Sequence, residues 1–430
     1  MTEPLPFDPQ REAARQFTTR LLATALAVVL GCALLNAAVD PYGLFRWVDR
    51  AELNAIKPRA TQVGAAFKYR VIDFGSPQTL LLGNSRAEMG WDPDLLPPAT
   101  FGSVANVALP GQGLGAMVAM ADHAWVRSRP TTLVIGLEFF DCLEAAPSPP
   151  APKAATSPWS ATTTGPMQRL RRIGAFAAET LSLDTTADSV RTLLSQRNLN
   201  AAHLRPDGFQ PARDYPRMQA IDGPRALFLQ RDQENARSRM NGPRSIRYGN
   251  GEWSACFDAL DRLLASAQAR NQTVYLATYP YHARLLELIV NAGLWPAYEE
   301  WKAHITEQVA KRREGGLNAR LWDFGAYHSY AIETIPEPGR ATPVPRWYWE
   351  SGHFRSELGA RMFDVMTGKR TTERSFGTEL TPDLLAEHLA AVRASRAAFV
   401  AKQPKTVEEM AVLAKRACRA PTWSAEQAPC

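Results

Sequence analysis

The chain predicts an α/β domain on a parallel sheet, behind one N-terminal membrane-spanning helix and followed by a helical extension. Three observations carry this. Leu21 to Val39 contains no charged residue. Five short apolar runs of strand length alternate with helical stretches. Beyond Arg370 the remaining sequence is amphipathic with helical period. Strand, helix, strand in repetition is the pattern of a parallel sheet with covering helices.

The apolar segment 21–39 reaches roughly 30 Å as a helix at about 1.5 Å per residue, the thickness of the hydrocarbon layer. Residues 1–20 then form a cytoplasmic head. Ala37-Ala38 also fits a cleavage site, so a removed signal peptide competes with an uncleaved anchor. Cys32 after Gly31 is a weaker lipoprotein signal, because the apolar run continues past it. Arginines flank both ends, so positive charge alone does not set the orientation. A short head inside and a long translocated domain is the simplest topology.

Residues 40–70 read as a turn-rich connector opening with Asp40-Pro41. The α/β domain occupies 71–370, with strands expected at Gln78–Gly83, Ser103–Val107, Thr131–Leu137, Gln272–Thr278 and Ala319–Phe324. These runs are continuous rather than alternating, as strands covered on both faces require. Helices are expected at Gly113–Arg127, Trp253–Arg270, His282–Arg313 and Glu357–Met366. An insertion at 145–250 separates the third and fourth strands and begins with a Pro/Ala/Ser/Thr-rich loop, Ala145 to Gly165. It is read as substrate groove or as scaffold. The extension 371–430 carries helices near Pro382–Val400 and Thr406–Arg419.

The net charge of +6 over 430 residues is modest and interleaved, which leaves no nucleic-acid signal. No Cys-x-x-Cys and no His/Cys cluster at zinc spacing occurs, so neither metal nor cofactor is expected. Cys142, Cys256, Cys418 and Cys430 form an even set outside the apolar segment, and Cys418 with Cys430 can staple the tail in an oxidising compartment.

Chemistry-bearing residues cluster after the strands. Gly83-Asn84-Ser85-Arg86 ends the first run, and Glu350-Ser351-Gly352-His353 lies far downstream. Ser, His and an acid can form an acyl-transfer site, in which His353 takes the proton of Ser85 and Glu350 fixes the imidazole tautomer. Asp323, at the end of the fifth run, rivals Glu350 for that role. Gly111 follows the second run, Glu138 the third, and Tyr281 and His282 the fourth. Arg86, Glu138, Tyr281 and His282 are the candidate substrate-binding groups. Trp347, Tyr348 and Trp349 are read either as a sugar platform or as core.

In these motifs the chain resembles the SGNH (GDSL-like) hydrolase superfamily, most closely its membrane-anchored branch associated with O-acyl modification of bacterial envelope polysaccharides. Gly83-Asn84-Ser85 matches the Gly-Asp-Ser nucleophile block. Asn106 to Gly111 matches the second block, and Glu350-Ser-Gly-His353 the Asp-x-x-His block. The resemblance implies a three-layer flavodoxin-like sheet, with the N–H groups of Ser85 and Gly111 binding an oxyanion. It also implies an esterase or O-acyltransferase acting on acylated glycan, with a possible membrane-embedded partner. The expected location is the bacterial inner membrane, single-pass, with the C-terminal domain in the periplasm. One position departs from the pattern. Where the family carries a donor Asn, this chain has Glu138, which cannot donate when ionised and would repel a developing oxyanion. The alternatives are therefore a catalytically degenerate binding or assembly protein of the cell envelope, or a scaffold working through its anchor and tail helices.

Overall fold

The computed structural model describes residues 9–145, 166–336, 344–369, 373 and 375–418. The chain divides into two compact units, Met1–Val63 with Thr164–His203, and Gly64–Thr163 with Leu204–Cys430. The stretch expected as one insertion is thus split between them. Most of the Ala145 to Gly165 loop and the partner in the proposed Cys418–Cys430 staple, Cys430, lie outside the described residues.

In the first unit one helix, Pro9–Val39, is long and apolar enough to cross a membrane, with a mean hydropathy of 2.2 in its most apolar window. It starts well before Leu21 because Gln10 to Arg20 contains good helix formers and no Gly or Pro. Asp40 ends it. Its φ is +50°, and its carboxylate accepts the N–H groups of Leu44 and Arg46, both at 2.8 Å. The helices Pro166–Leu181 and Leu183–Leu194 pack against this long helix.

The second unit is built on a six-stranded sheet: β1 (Thr79–Leu82), β2 (Val104–Asn106), β3 (Thr132–Leu137), β4 (Thr273–Thr278), β5 (Ala319–Asp323) and β6 (Thr378–Glu379). The order across the sheet is β2-β1-β3-β4-β5-β6. All neighbours are parallel except β6, which runs antiparallel along the edge. Register pairs Leu80 with Ala105 and Leu133, and Leu276 with Ile135 and Leu321. β1 and β3 are buried along their whole length, the property that makes their sequences read as unbroken apolar runs. The five expected strands form within a residue or two of their expected ends.

One helical expectation needs correction. His282–Arg313 is two helices, Ala283–Asn291 and Trp295–Glu314, interrupted at Gly293 with φ +72°. A left-handed residue at that point stops the first helix, and only glycine adopts it without cost. The terminal helices Pro382–Lys402 and Pro404–Cys418 belong to the α/β unit, packing on Trp295–Glu314 and on Ala283–Asn291 respectively. Ion pairs fasten them there, Arg393 to Glu299 at 2.8 Å and Arg284 to Glu409 at 2.6 Å. A disulfide joins Cys142, just beyond β3, to Cys256, in the helix Ala255–Ala269.

Candidate active site

β1 lies between β2 and β3, so the connections on its two sides leave the sheet in opposite directions. Such a switch point opens a crevice at the carboxyl ends of the strands. Ser85 stands at that end of β1, as the first residue of the short helix Ser85–Gly90. Gly83 makes the turn possible, because a Cβ there would overlap the hydroxyl of Tyr279 and the methyl of Ala87. Asn84 caps the helix, its Oδ1 accepting from Arg86 N at 3.0 Å. Asn106 Nδ2 donates to the carbonyls of Ala87 and Trp91 at 2.9 and 2.8 Å, holding the helix against the end of β2. The next strand-end segment is tied in by Leu109 N donating to Gly83 O at 2.9 Å.

His353 arrives on a two-strand hairpin, Tyr348–Glu350 with His353–Phe354. Its Nε2 lies 2.7 Å from Ser85 Oγ, across a separation of 268 residues. Nδ1 of the same ring contacts Glu350 Oε1, and the other oxygen, Oε2, accepts from Gly352 N at 2.7 Å. Burial opposes charge on Glu350, but the adjacent imidazole and the Gly352 N–H more than offset it, holding the carboxyl down at about 2. An ionised carboxylate accepts only, so Nδ1 carries the proton and Nε2 is left to accept from the Ser85 hydroxyl. Asp323 is not part of this chain of contacts. It is buried against Lys302 Nζ and His388 Nε2, each at 2.6 Å.

The hairpin turn is held from below. Ser351 Oγ donates to Asp232, whose other oxygen accepts from Arg284 Nε at 2.7 Å. Burial pushes the Asp232 carboxyl up to about 6 despite the guanidinium. Neither partner was legible in sequence. Asp232 lies in a polar helix, Pro224–Arg239, 119 positions from Ser351, and no spacing links the two.

Glu138, Arg86 and Tyr281 form a second buried group. Glu138 pairs with Arg86, accepts from the Tyr281 hydroxyl, and accepts from Asn84 Nδ2 at 3.2 Å. It also caps the 3-10 turn after β3 through Phe140 N at 3.4 Å. Arg86 is only 8% exposed. The grouping changes the reading of the three residues as free substrate ligands, since they are committed to one another. The charge on Glu138 therefore does not stand alone. Burial opposes charge on Arg86, but the carboxylate of Glu138 raises its basicity further. Asp141, close by, is pushed up to about 7 by burial and by the negative charge of Glu138.

The remaining candidates are placed as follows. Gly111 has φ +67°, with open space where a Cβ would project. Among the described residues, no hydrogen bond uses its N–H or that of Ser85. His282 is a helix cap rather than a substrate ligand. Its Nδ1 accepts from Arg284 N at 3.3 Å, and its Nε2 meets Glu333 O at 2.9 Å. Burial takes its basicity down to about 3. Tyr348 and Trp349 are core, and Trp347 packs on Tyr330 with ring centres 4.6 Å apart. Among the described residues one acidic group, Asp92, Asp94 and Asp207, has metal-ligand spacing. Arg205 pairs with all three, so a guanidinium occupies the cation position.

No protein-family model matches this chain, and no curated protein matches it.

Proposed function

We propose that this chain is a membrane-tethered SGNH-like serine esterase or O-acyltransferase acting on acylated envelope glycan. The observation that carries the reading is the hydrogen-bonded series Ser85, His353, Glu350, with the acid ionised and the serine at a strand–helix turn. The parallel order β2-β1-β3-β4-β5 is that of flavodoxin-like sheets, which supports a three-layer SGNH-type fold. The apolar helix and the Cys142–Cys256 disulfide support a single-pass inner-membrane protein with its domain in the oxidising periplasm.

In this mechanism His353 Nε2 accepts the Ser85 proton as Oγ bonds to the ester carbonyl carbon. The N–H groups of Ser85 and Gly111 donate to the resulting oxyanion. The C–O ester bond breaks, and the leaving alcohol takes the proton from His353. Water or a sugar hydroxyl then gives its proton to His353 and attacks the acyl carbon, and as the acyl–Oγ bond breaks His353 returns that proton to Ser85. Glu138, paired with Arg86, supports the turn without facing the oxyanion as a bare charge.

The test is ester turnover and fluorophosphonate labelling by the full chain in detergent. Wild type labels at Ser85, and Ser85→Ala loses labelling and at least about 1,000-fold in turnover. The second reading, a degenerate binding or assembly protein, is favoured by Glu138 standing where the family carries a donor. Failure of wild type to label while it still binds acylated glycan would establish that one.

A further inference from the structure

The helix Leu183–Leu194 has its polarity inverted relative to a water-facing helix, and its neighbour Pro166–Leu181 leaves its apolar residues uncovered. Leu183–Leu194 buries Thr185, Asp188, Ser189 and Thr192. On its outer side Leu183 is 82% exposed and Leu194 80%. Pro166–Leu181 likewise leaves Met167, Leu170, Ile173 and Leu181 each more than half exposed. Those four fall on one side of a helical wheel, and the exposed Arg171 takes another position. A soluble surface helix turns its apolar stripe inward. Leu183–Leu194 does the opposite, and Pro166–Leu181 leaves its stripe uncovered.

What the two helices bury is the exit of the apolar helix Pro9–Val39. Asn36, one turn before its end, donates to Thr180 O at 2.8 Å and Thr186 Oγ1 at 3.0 Å. Its Oδ1 accepts from Ser189 Oγ at 2.9 Å. Just past the helix, the Tyr42 hydroxyl donates to Asp188 at 3.0 Å. Polar side chains bonded between helices, with apolar ones outward, are the arrangement expected where the surrounding medium is lipid. The long helix against which the pair packs is the one that would enter the bilayer.

We infer that Pro166–Leu194 is an interfacial collar, lying in the outer face of the bilayer around the anchor's exit with Leu170, Ile173, Leu183 and Leu194 among the acyl chains. Arginine-bearing amphipathic helices lie at this depth, with basic groups at headgroup level. The occupant of the apolar stripe is the lipid bilayer itself. The inference rests on reading Pro9–Val39 as a membrane anchor.

The test places a benzophenone amino acid in turn at Leu170, Ile173, Leu183 and Leu194 of the full chain, and at Val28 in the anchor, in native membranes. Irradiation should give lipid adducts at all five positions. Adducts of doubled protein mass at the four collar positions would show a second copy on this face and overturn the proposal, as would adducts to another protein. Lipid adducts at Val28 alone would overturn the collar and leave the anchor standing. No lipid adduct even at Val28 would remove both.

Discussion

Arg86, the residue after Ser85, forms a buried ion pair with Glu138 at the end of the neighbouring strand. The pair sits beside the turn that carries His353, because Arg86 Nη2 lies 3.2 Å from the position a Cβ would take on Gly352. Removing one member of such a pair strands a charge in a low-dielectric site. Arg86→Met should therefore cost about 3–5 kcal/mol of stability, whereas Arg86→Met with Glu138→Leu should recover most of it. Denaturant titration of the two variants checks this. Equal losses in both would mean that the pair is not the dominant interaction there.

Glu350→Gln keeps the side-chain shape but presents the wrong group to His353 Nδ1. A turnover loss of about 10,000-fold with an unchanged fold is expected, on the tautomer argument. There is also a pH signature. The folded carboxyl titrates at about 2, below its ordinary 4.5. Its contribution to stability is then fully present above about 4.5 and is lost as pH falls from there through about 2. Stability of Glu350→Gln should fall less steeply across that window, measured by thermal unfolding at successive pH values.

The Cys142–Cys256 bond spans 114 residues and links the segment after Glu138 to a covering helix. Cys142→Ser together with Cys256→Ser should lower stability by about 2–5 kcal/mol. Turnover per folded molecule should be retained, because no member of the Ser85 series depends on either sulfur.

Asp141 offers a stabilising substitution. Its carboxyl is raised to about 7 from an ordinary 3.8, mainly by burial and then by Glu138. Native stability is therefore drawn down as pH rises from about 3.8 through about 7. Asp141→Asn should gain on wild type progressively across that range and hold the gain above it, as unfolding at pH 5 and pH 8 would show.

Much of the fold was legible because β1, β3 and β4 are nearly all apolar and end at Gly83, Glu138 and Tyr279. Burial on both faces writes itself into sequence at that density. β6, two residues long and pairing only at an edge, leaves no such trace. Ser85, Glu350 and His353 could be proposed because their types and order carry chemical meaning. The Glu138–Arg86 pair could not, since each charge looks solvated until the turn after β1 folds against the turn after β3. The role of Pro166–Leu194 was hidden for a different reason. Its amphipathic period is the same whether the apolar side faces a core or lipid, and the contacts with Asn36 and Tyr42 show which side is inward.

Gly90 closes the helix that starts at Ser85, and Gly359 lies in the helix that follows His353. A Cβ on Gly359 would run into the Gly90 carbonyl, and one on Gly90 into the Phe354 ring. The two backbones therefore meet with no methyl's thickness to spare. A single wedge at that seam would part the Ser85 hydroxyl from the His353 imidazole while leaving both side chains intact, an injury of spacing and not of composition.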